Sequence, residues 1–421
     1  MNFKLHPTLR NIGIALLVVG IISLVYAFVI ADYSHATQHD GIAHAAGDHA
    51  SEHTDHSAHN KPWAALMVNT FFFLAISLGA LFFLAIQYAA QAGWSVGIKR
   101  VLEAIAGFLP VPGIVMLIIV ISGVLLHKHH IWHWTAEGIS DPNSPNYDAI
   151  IAGKTPYLNA PFYLFRTVVY IAGWYIFLHF LKKNSYLGDQ SNDWNWWRKN
   201  WKLSAGFLVF FAITSSTSAW DWIMSIDTHW FSTLFGWYVF AGMFVTSVTV
   251  VTLTVLYLKG QNYLSWVNEN HLHDLAKFMF AFSIFWTYLW FSQYMLIWYS
   301  NIPEEVTYFM PRFTIYKVPF ITMLALNFVF PILVIMSRTT KRIGAFVVIA
   351  GISILIGHWL DTFNMIMPGT VGENYSFGIA EIGIFLGYAG AFILVVGRNL
   401  EKAPLLMKNH PMLLESKHHH I

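Results

Sequence analysis

The run Ile12-Gly-Ile-Ala-Leu-Leu-Val-Val-Gly-Ile-Ile-Ser-Leu-Val-Tyr-Ala-Phe-Val-Ile-Ala31 holds twenty residues without one charge. A helix needs roughly 20 apolar residues to cross a bilayer core of about 30 Å. The run is too long for a signal-peptide core and has no convincing small-residue cleavage site after it, so it reads as a first membrane span. Nine further stretches of the same kind follow: Trp63–Tyr88, Gly107–Leu126, Phe162–Leu181, Leu203–Ile223, Phe231–Leu258, Leu275–Tyr299, Val318–Met336, Ile343–Met367 and Phe377–Val396. Strands of a membrane barrel would be about half as long and would alternate, so the expected fold is an all-α polytopic membrane protein of about ten helices.

Composition agrees. Of 421 residues, 56% are hydrophobic and 11% charged, against about 25% charged in soluble domains. Such a chain cannot cover a watery surface with polar groups, and lipid is its main solvent. The 18 Trp suit anchoring at both interfaces. A formal net charge of +2 gives no reason to expect nucleic acid. The absence of cysteine excludes disulfides, thiolate-held iron–sulfur clusters and covalent haem in this chain.

Orientation follows from the loops. Of the 24 Lys and Arg, only Lys61, Lys128, Lys154, Arg166, Arg312 and Lys317 fall on the side opposite the N-terminus. The positive-inside rule then places both termini in the cytoplasm. The expected division is a first span over 1–31, a His-rich outer loop over 32–61, a four-helix bundle over 62–225, a second over 226–370, a tenth span over 371–400 and a cytoplasmic tail over 401–421. A second long outer loop, 127–161, reads as an ordered excursion or a partner-docking surface. Pro110, Pro112, Gly113, Pro319 and Pro331 are expected to kink their spans, as packing devices or as the lining of a polar cavity. No internal repeat is visible by eye.

Ionisable groups inside membrane spans are costly, which makes them functional candidates. His358 and Asp361, three residues apart, share one helix face in the outer half of the ninth span. An imidazole beside a carboxylate makes a proton donor–acceptor unit, or else a hydrogen bond that ties helices together. Glu381 lies at similar depth in the tenth span. Asp221 and Asp227 stand among aromatics at the junction of the fifth and sixth spans, where they read as an outward proton path or as counter-charges. Arg166 needs such a counter-charge, and Asp221 is the expected one. On the inner side Glu103, His273, Asp274 and Lys277 are candidates for proton uptake or simple interfacial groups. Ser283, Thr287, Tyr288 and Gln293, with Thr246, Ser247 and Thr249, can hold a water chain between these levels or bond neighbouring helices.

Other histidines carry less. His35, His39, His44, His49, His53, His56 and His59 include helical metal-ligand spacings, but their Ala-, Gly- and Asp-rich surroundings read as a solvated loop. His418, His419 and His420 read as a polar tail. A bis-histidine haem b needs partners at matched depth, and His127, His179 and His358 lie at three different depths, so no metal or haem is expected here.

Three runs carry a resemblance. They are Ala219-Trp-Asp-Trp-Ile-Met-Ser-Ile-Asp-Thr-His-Trp-Phe231, then Phe278-Met-Phe-Ala-Phe-Ser-Ile-Phe-Trp-Thr-Tyr288 continuing to Gln293-Tyr-Met-Leu-Ile-Trp-Tyr299, and Gly357-His-Trp-Leu-Asp361. They resemble the second, shorter polysulfide-reductase-type membrane subunit of alternative complex III, a quinol:cytochrome c oxidoreductase. The resemblance spans about Pro62 to Val396. It implies two four-helix bundles flanked by the first and tenth helices, in a bacterial inner membrane. It also implies a homologous larger membrane subunit, an iron–sulfur subunit and c-type cytochrome subunits as partners. Menaquinol oxidation, iron–sulfur clusters and haem c would then belong chiefly to those partners. This chain would offer a scaffold and a proton path, or a quinone pocket of its own. A stand-alone secondary transporter is the reading from another class, and it predicts inverted repeats broken at the midplane.

Overall fold

A computed structural model describes residues 3–41, 51–190 and 193–420, with the side chains of 31–58 left aside. Among the described residues the chain is helical and contains no strand. Ten helices are long and apolar enough to cross a membrane: α1 (Pro7–Ile30), α2 (His59–Ala89), α3 (Gly93–Val124), α4 (Ala160–Gly188), α5 (Asn195–Ile226), α6 (Leu234–Gly260), α7 (Glu269–Ser300), α8 (Lys317–Ile335), α9 (Gly344–Val371) and α10 (Ile379–Glu401). The protein is a multi-pass membrane protein. The polar outer segment after α1 is less open than expected, because helix continues to Gly41 and resumes at Ser51. The histidines of this segment other than His59 lie outside the residues whose side chains are described.

Helices α2 and α6 are central and bury most of their length, whereas α1 is mostly lipid-facing. Helix α2 packs on α3, α5, α6 and α9. Helix α6 packs on α7, α9, α2 and α5, and the pairing of α4 with α5 returns as α8 with α9. Exchanging α2–α5 for α6–α9 therefore reproduces the same packing pattern. Helices four spans apart run the same way, so this is a parallel repeat. Sequence inspection misses it because apolar residues interchange freely on lipid-facing surfaces, leaving little identity between halves.

Helix α1 docks on α10 almost backbone to backbone. A Cβ on Gly20 would stand 2.1 Å from the Gly387 Cα, and one on Gly390 would stand 2.5 Å from the Gly13 carbonyl oxygen. Small residues permit this approach, which supplies the packing that holds helices together where lipid offers no hydrophobic drive.

Helix α3 starts earlier than the apolar pattern indicates. It opens with a 3-10 turn at Gly93–Ile98, continues as Lys99–Ala106, breaks, and resumes at Pro110–Val124. Pro110 begins the second segment, where its missing N–H has no helical partner to lose. The charges at Lys99, Arg100 and Glu103 hide the first segment from a hydropathy reading. Helix α8 carries a π turn at Ala325–Val329, just before Pro331. The 127–161 loop is an ordered cap. Its own His129, Trp132 and Trp134 are buried. Asn60 accepts from the His130 N–H at 2.8 Å, and Trp132 donates to the Trp222 carbonyl at 3.2 Å.

Candidate functional site

Helix α9 turns His358 and Asp361 toward α6 and α7, and both are buried. Trp286 of α7 donates its indole N–H to Asp361 Oδ2 at 3.0 Å. Tyr238, in the first turns of α6, donates its hydroxyl to Asp361 Oδ1. His358 Nδ1 lies 3.5 Å from Asp361 Oδ2, and the imidazole meets the Trp286 ring edge-on at 5.1 Å. His358 Nε2 is buried without a hydrogen-bond partner. A carboxylate here is solvated by a phenol, an indole and an imidazole, which lowers the high cost of holding its charge in lipid. Such a group can take up and release a proton while its neighbours stay in place.

Two small cavities lie beside this group, one lined by Asp361 itself and one by its partner Tyr238. The first is lined by Tyr238, Gln293, Tyr308, Arg312, Asn364 and Met365, among others, and lies toward the outer end. The second, between α2, α6 and α9, is lined by Phe72, Gly242, Thr246, His358, Asp361 and Met365, among others. Each has room for about one water. A ligand pocket usually spans roughly 300–1,000 Å³, so side chains fill the space that a quinone ring would need.

Arg312 was missed by the sequence reading beyond its place on the outer side. It is buried, and its guanidinium donates to the carbonyls of Asn364 at 3.0 Å and of Tyr308, while lying 3.5 Å over the Tyr308 ring. Among the described residues it makes no ion pair. It stands near the outer start of α8 as Arg166 stands near the outer start of α4, four spans earlier, and that loose parallel is the signal that could have found it.

The first bundle holds a different arrangement at the corresponding level. Arg166 Nε donates to Asp221 Oδ2 at 2.7 Å, Nη2 to Oδ1 at 2.9 Å, and Tyr170 adds its hydroxyl at 2.8 Å. Tyr163 donates to the Asp221 carbonyl at 2.6 Å. Tyr157 and Phe162 stack on the guanidinium at 3.9 and 4.3 Å. This is a closed bidentate pair, with the carboxylate saturated. Asp227 does not join it. It lies half-buried beyond α5, in the electrostatic neighbourhood of Lys154, whose ammonium donates to the Thr228 carbonyl.

Glu381 caps its own helix. Its Oε2 accepts from the Gly378 N–H at 2.9 Å, and Oε1 is buried without a partner. Its backbone carbonyl accepts from Asn69, which in turn accepts from Trp359 at 2.9 Å. These bonds lead to Trp359 and not to Asp361. The hydroxyls at mid-depth make no hydrogen bonds between helices among the described residues. Thr246, Thr249 and Thr287 each donate to the carbonyl four residues back on their own helix. Ser247 and Ser283 have buried, unpartnered hydroxyls, and Tyr288 faces outward.

On the inner side Glu103 Oε2 accepts from Arg100 at 2.7 Å, and Arg100 also binds Asp189. Glu103 Oε1 is buried and unpartnered. The tail, expected as a polar appendage, folds across this region. Leu405, Met407, His410 and Ser416 are buried. Ser416 donates to the Trp94 carbonyl at 2.9 Å and accepts from the Gly97 N–H at 3.0 Å. Lys99 donates to His410 Nε2 at 3.0 Å, and burial with this cation pushes the His410 pKa down to about 2. His419 reaches Asp274 at 2.7 Å, and Lys277 binds the other oxygen of Asp274 at 3.0 Å. Buried His273 adjoins this pair.

No protein-family model matches the chain, and no curated protein matches it significantly.

Proposed function

We propose that this chain is a proton-conducting, non-redox membrane subunit of a quinol:cytochrome c oxidoreductase of the alternative complex III type, in a bacterial cytoplasmic membrane. Membership rests on the aromatic runs around Asp221, Tyr288 and Asp361. The proton role rests on one observation: a buried carboxylate, Asp361, is held between Tyr238, Trp286 and His358, with two water-sized cavities beside this group. Electrons would travel from menaquinol through iron–sulfur and haem c groups of the partner subunits, beside the homologous larger membrane subunit.

Side-chain packing around His358 gives a second quinol pocket no support. A stand-alone transporter is disfavoured because the irregular spans, α3 and α8, are not counterparts within the repeat.

Two measurements test the reading. Purification through a tag on this chain is expected to bring c-type haem and iron–sulfur subunits with it; a lone homo-oligomer overturns membership. In the reconstituted assembly Asp361→Asn is expected to stop proton translocation beyond the protons that the quinol itself gives up, while quinol oxidation continues. Unchanged proton release and unchanged oxidation remove Asp361 from the mechanism.

A further inference from the structure

Tyr238 lines the outer cavity and donates its hydroxyl to Asp361, which lines the inner one. Its phenol therefore stands at the partition between two water-sized spaces. On the outer side, Gln293 Oε1 and Asn364 Oδ1 are buried acceptors without a donor. Both residues line that cavity, and each is at most 4% exposed. A water has two O–H donors, which fit two orphaned carbonyl oxygens, and a small polar cavity of this size holds such a water. A bound anion would leave both oxygens unpaired. Arg312 lines the same cavity with no carboxylate of its own.

Resting on the proton-path reading above, we infer that Tyr238 passes the Asp361 proton to a water held by Gln293 and Asn364, and that Arg312 guards this exit against return. The protonated carboxyl of Asp361 gives its proton to the Tyr238 oxygen as the Tyr238 hydroxyl proton moves to the water. Asp361 is left as a carboxylate, Tyr238 is again a phenol, and one proton has advanced outward. No electron moves. A proton taken from the inner cavity at His358 Nε2, which is unpartnered there, lets the Nδ1 proton pass to Asp361 and reload it, leaving the imidazole neutral. The buried guanidinium of Arg312 repels an excess proton arriving at the cavity from outside, as fixed cations do in proton-excluding pores. The first bundle has no such exit, since Arg166 already occupies Asp221.

The experiment uses the purified assembly in vesicles and follows proton release per electron, passive proton return and quinol oxidation. Tyr238→Phe and Gln293→Leu are each expected to abolish most of the proton release beyond that given up by the quinol itself, because a positioned proton-transfer group contributes on the order of a hundredfold or more to the rate of transfer. Arg312→Gln is expected to speed passive return without slowing release. If Asp361→Asn abolishes release while Tyr238→Phe and Gln293→Leu leave it unchanged, the exit through Tyr238 is wrong and the proton-path reading survives. If all three are silent, the proton-path reading itself fails. Should Tyr238→Phe not assemble, Gln293→Leu decides alone, and unchanged release with that variant overturns the exit.

Discussion

Arg166 grips Asp221 through two nitrogens, at 2.7 and 2.9 Å, and leaves neither carboxylate oxygen free. Its counterpart Arg312 binds carbonyls instead, and the counterpart carboxylate Asp361 is shared by Tyr238, Trp286 and His358. Two halves of one packing pattern thus hold the same pair of residue types in opposite states. In one the arginine and the carboxylate form a salt bridge, and in the other they stay apart.

Asp221→Asn is expected to act on stability and not on proton movement. Removing one partner strands a buried guanidinium, a change that costs roughly 3–5 kcal/mol. The thermal midpoint of the detergent-purified chain should drop, while proton release per electron in surviving complexes stays at the wild-type value. A normal midpoint with lost proton release would reverse the assignment of roles between the bundles.

The outer cap should loosen in acid. Burial pushes His129 down to about 4 from its ordinary 6.5. Between these values the unfolded chain binds a proton that the folded chain refuses. Stability from this group is therefore complete above about pH 6.5 and is lost as pH falls toward 4, by up to about 1.4 kcal/mol per pH unit. His410 behaves the same way over a window reaching down to about 2. Thermal midpoints measured from pH 8 to 4.5 should decline below 6.5, and His129→Gln should flatten the decline. A flat wild-type profile would contradict the burial of both rings.

Gly20→Leu should pry α1 from α10. The new side chain has no space, because even a Cβ at Gly20 meets the Gly387 Cα at 2.1 Å. Cross-linking between cysteines placed at Gly13 and Leu394, where a Cβ on Gly13 would stand 3.1 Å from the Leu394 side chain, should fall sharply, while the interior around Asp361, built by α6, α7 and α9, keeps its packing. Undiminished cross-linking would mean that the two helices are held by something other than close glycine contact.

Removing residues 403–421 should open the inner face. Ser416 and His410 hold the start of α3 through Trp94, Gly97 and Lys99. Hydrogen exchange over Gly93–Ala106 is expected to rise in the truncated chain, because the backbone loses its cover. Exchange that stays slow would show that the tail merely rests on a segment already protected.

Much of the fold could be read directly from the chain. Twenty apolar residues can do little else in water or lipid than form a buried or spanning helix, so each span announces itself locally. The misread boundary at α3 has the same origin, since Lys99, Arg100 and Glu103 look like loop until Asp189 and the tail are seen to enclose them. His358 and Asp361 were legible because spacing alone puts them on one helix face.

Tertiary structure decided what those residues meet. Composition and hydropathy determined the helices, their number and the sidedness implied by Lys and Arg, because each of these depends on one segment and its solvent. Whether a carboxylate is locked or open depends on partners 51 to 123 positions away in sequence, such as Tyr170 for Asp221 and Tyr238 for Asp361. The same holds for the parallel repeat, the docked tail and the isolation of Arg312. Pairing between distant helices is set by packing geometry, and no local pattern of apolar residues encodes it.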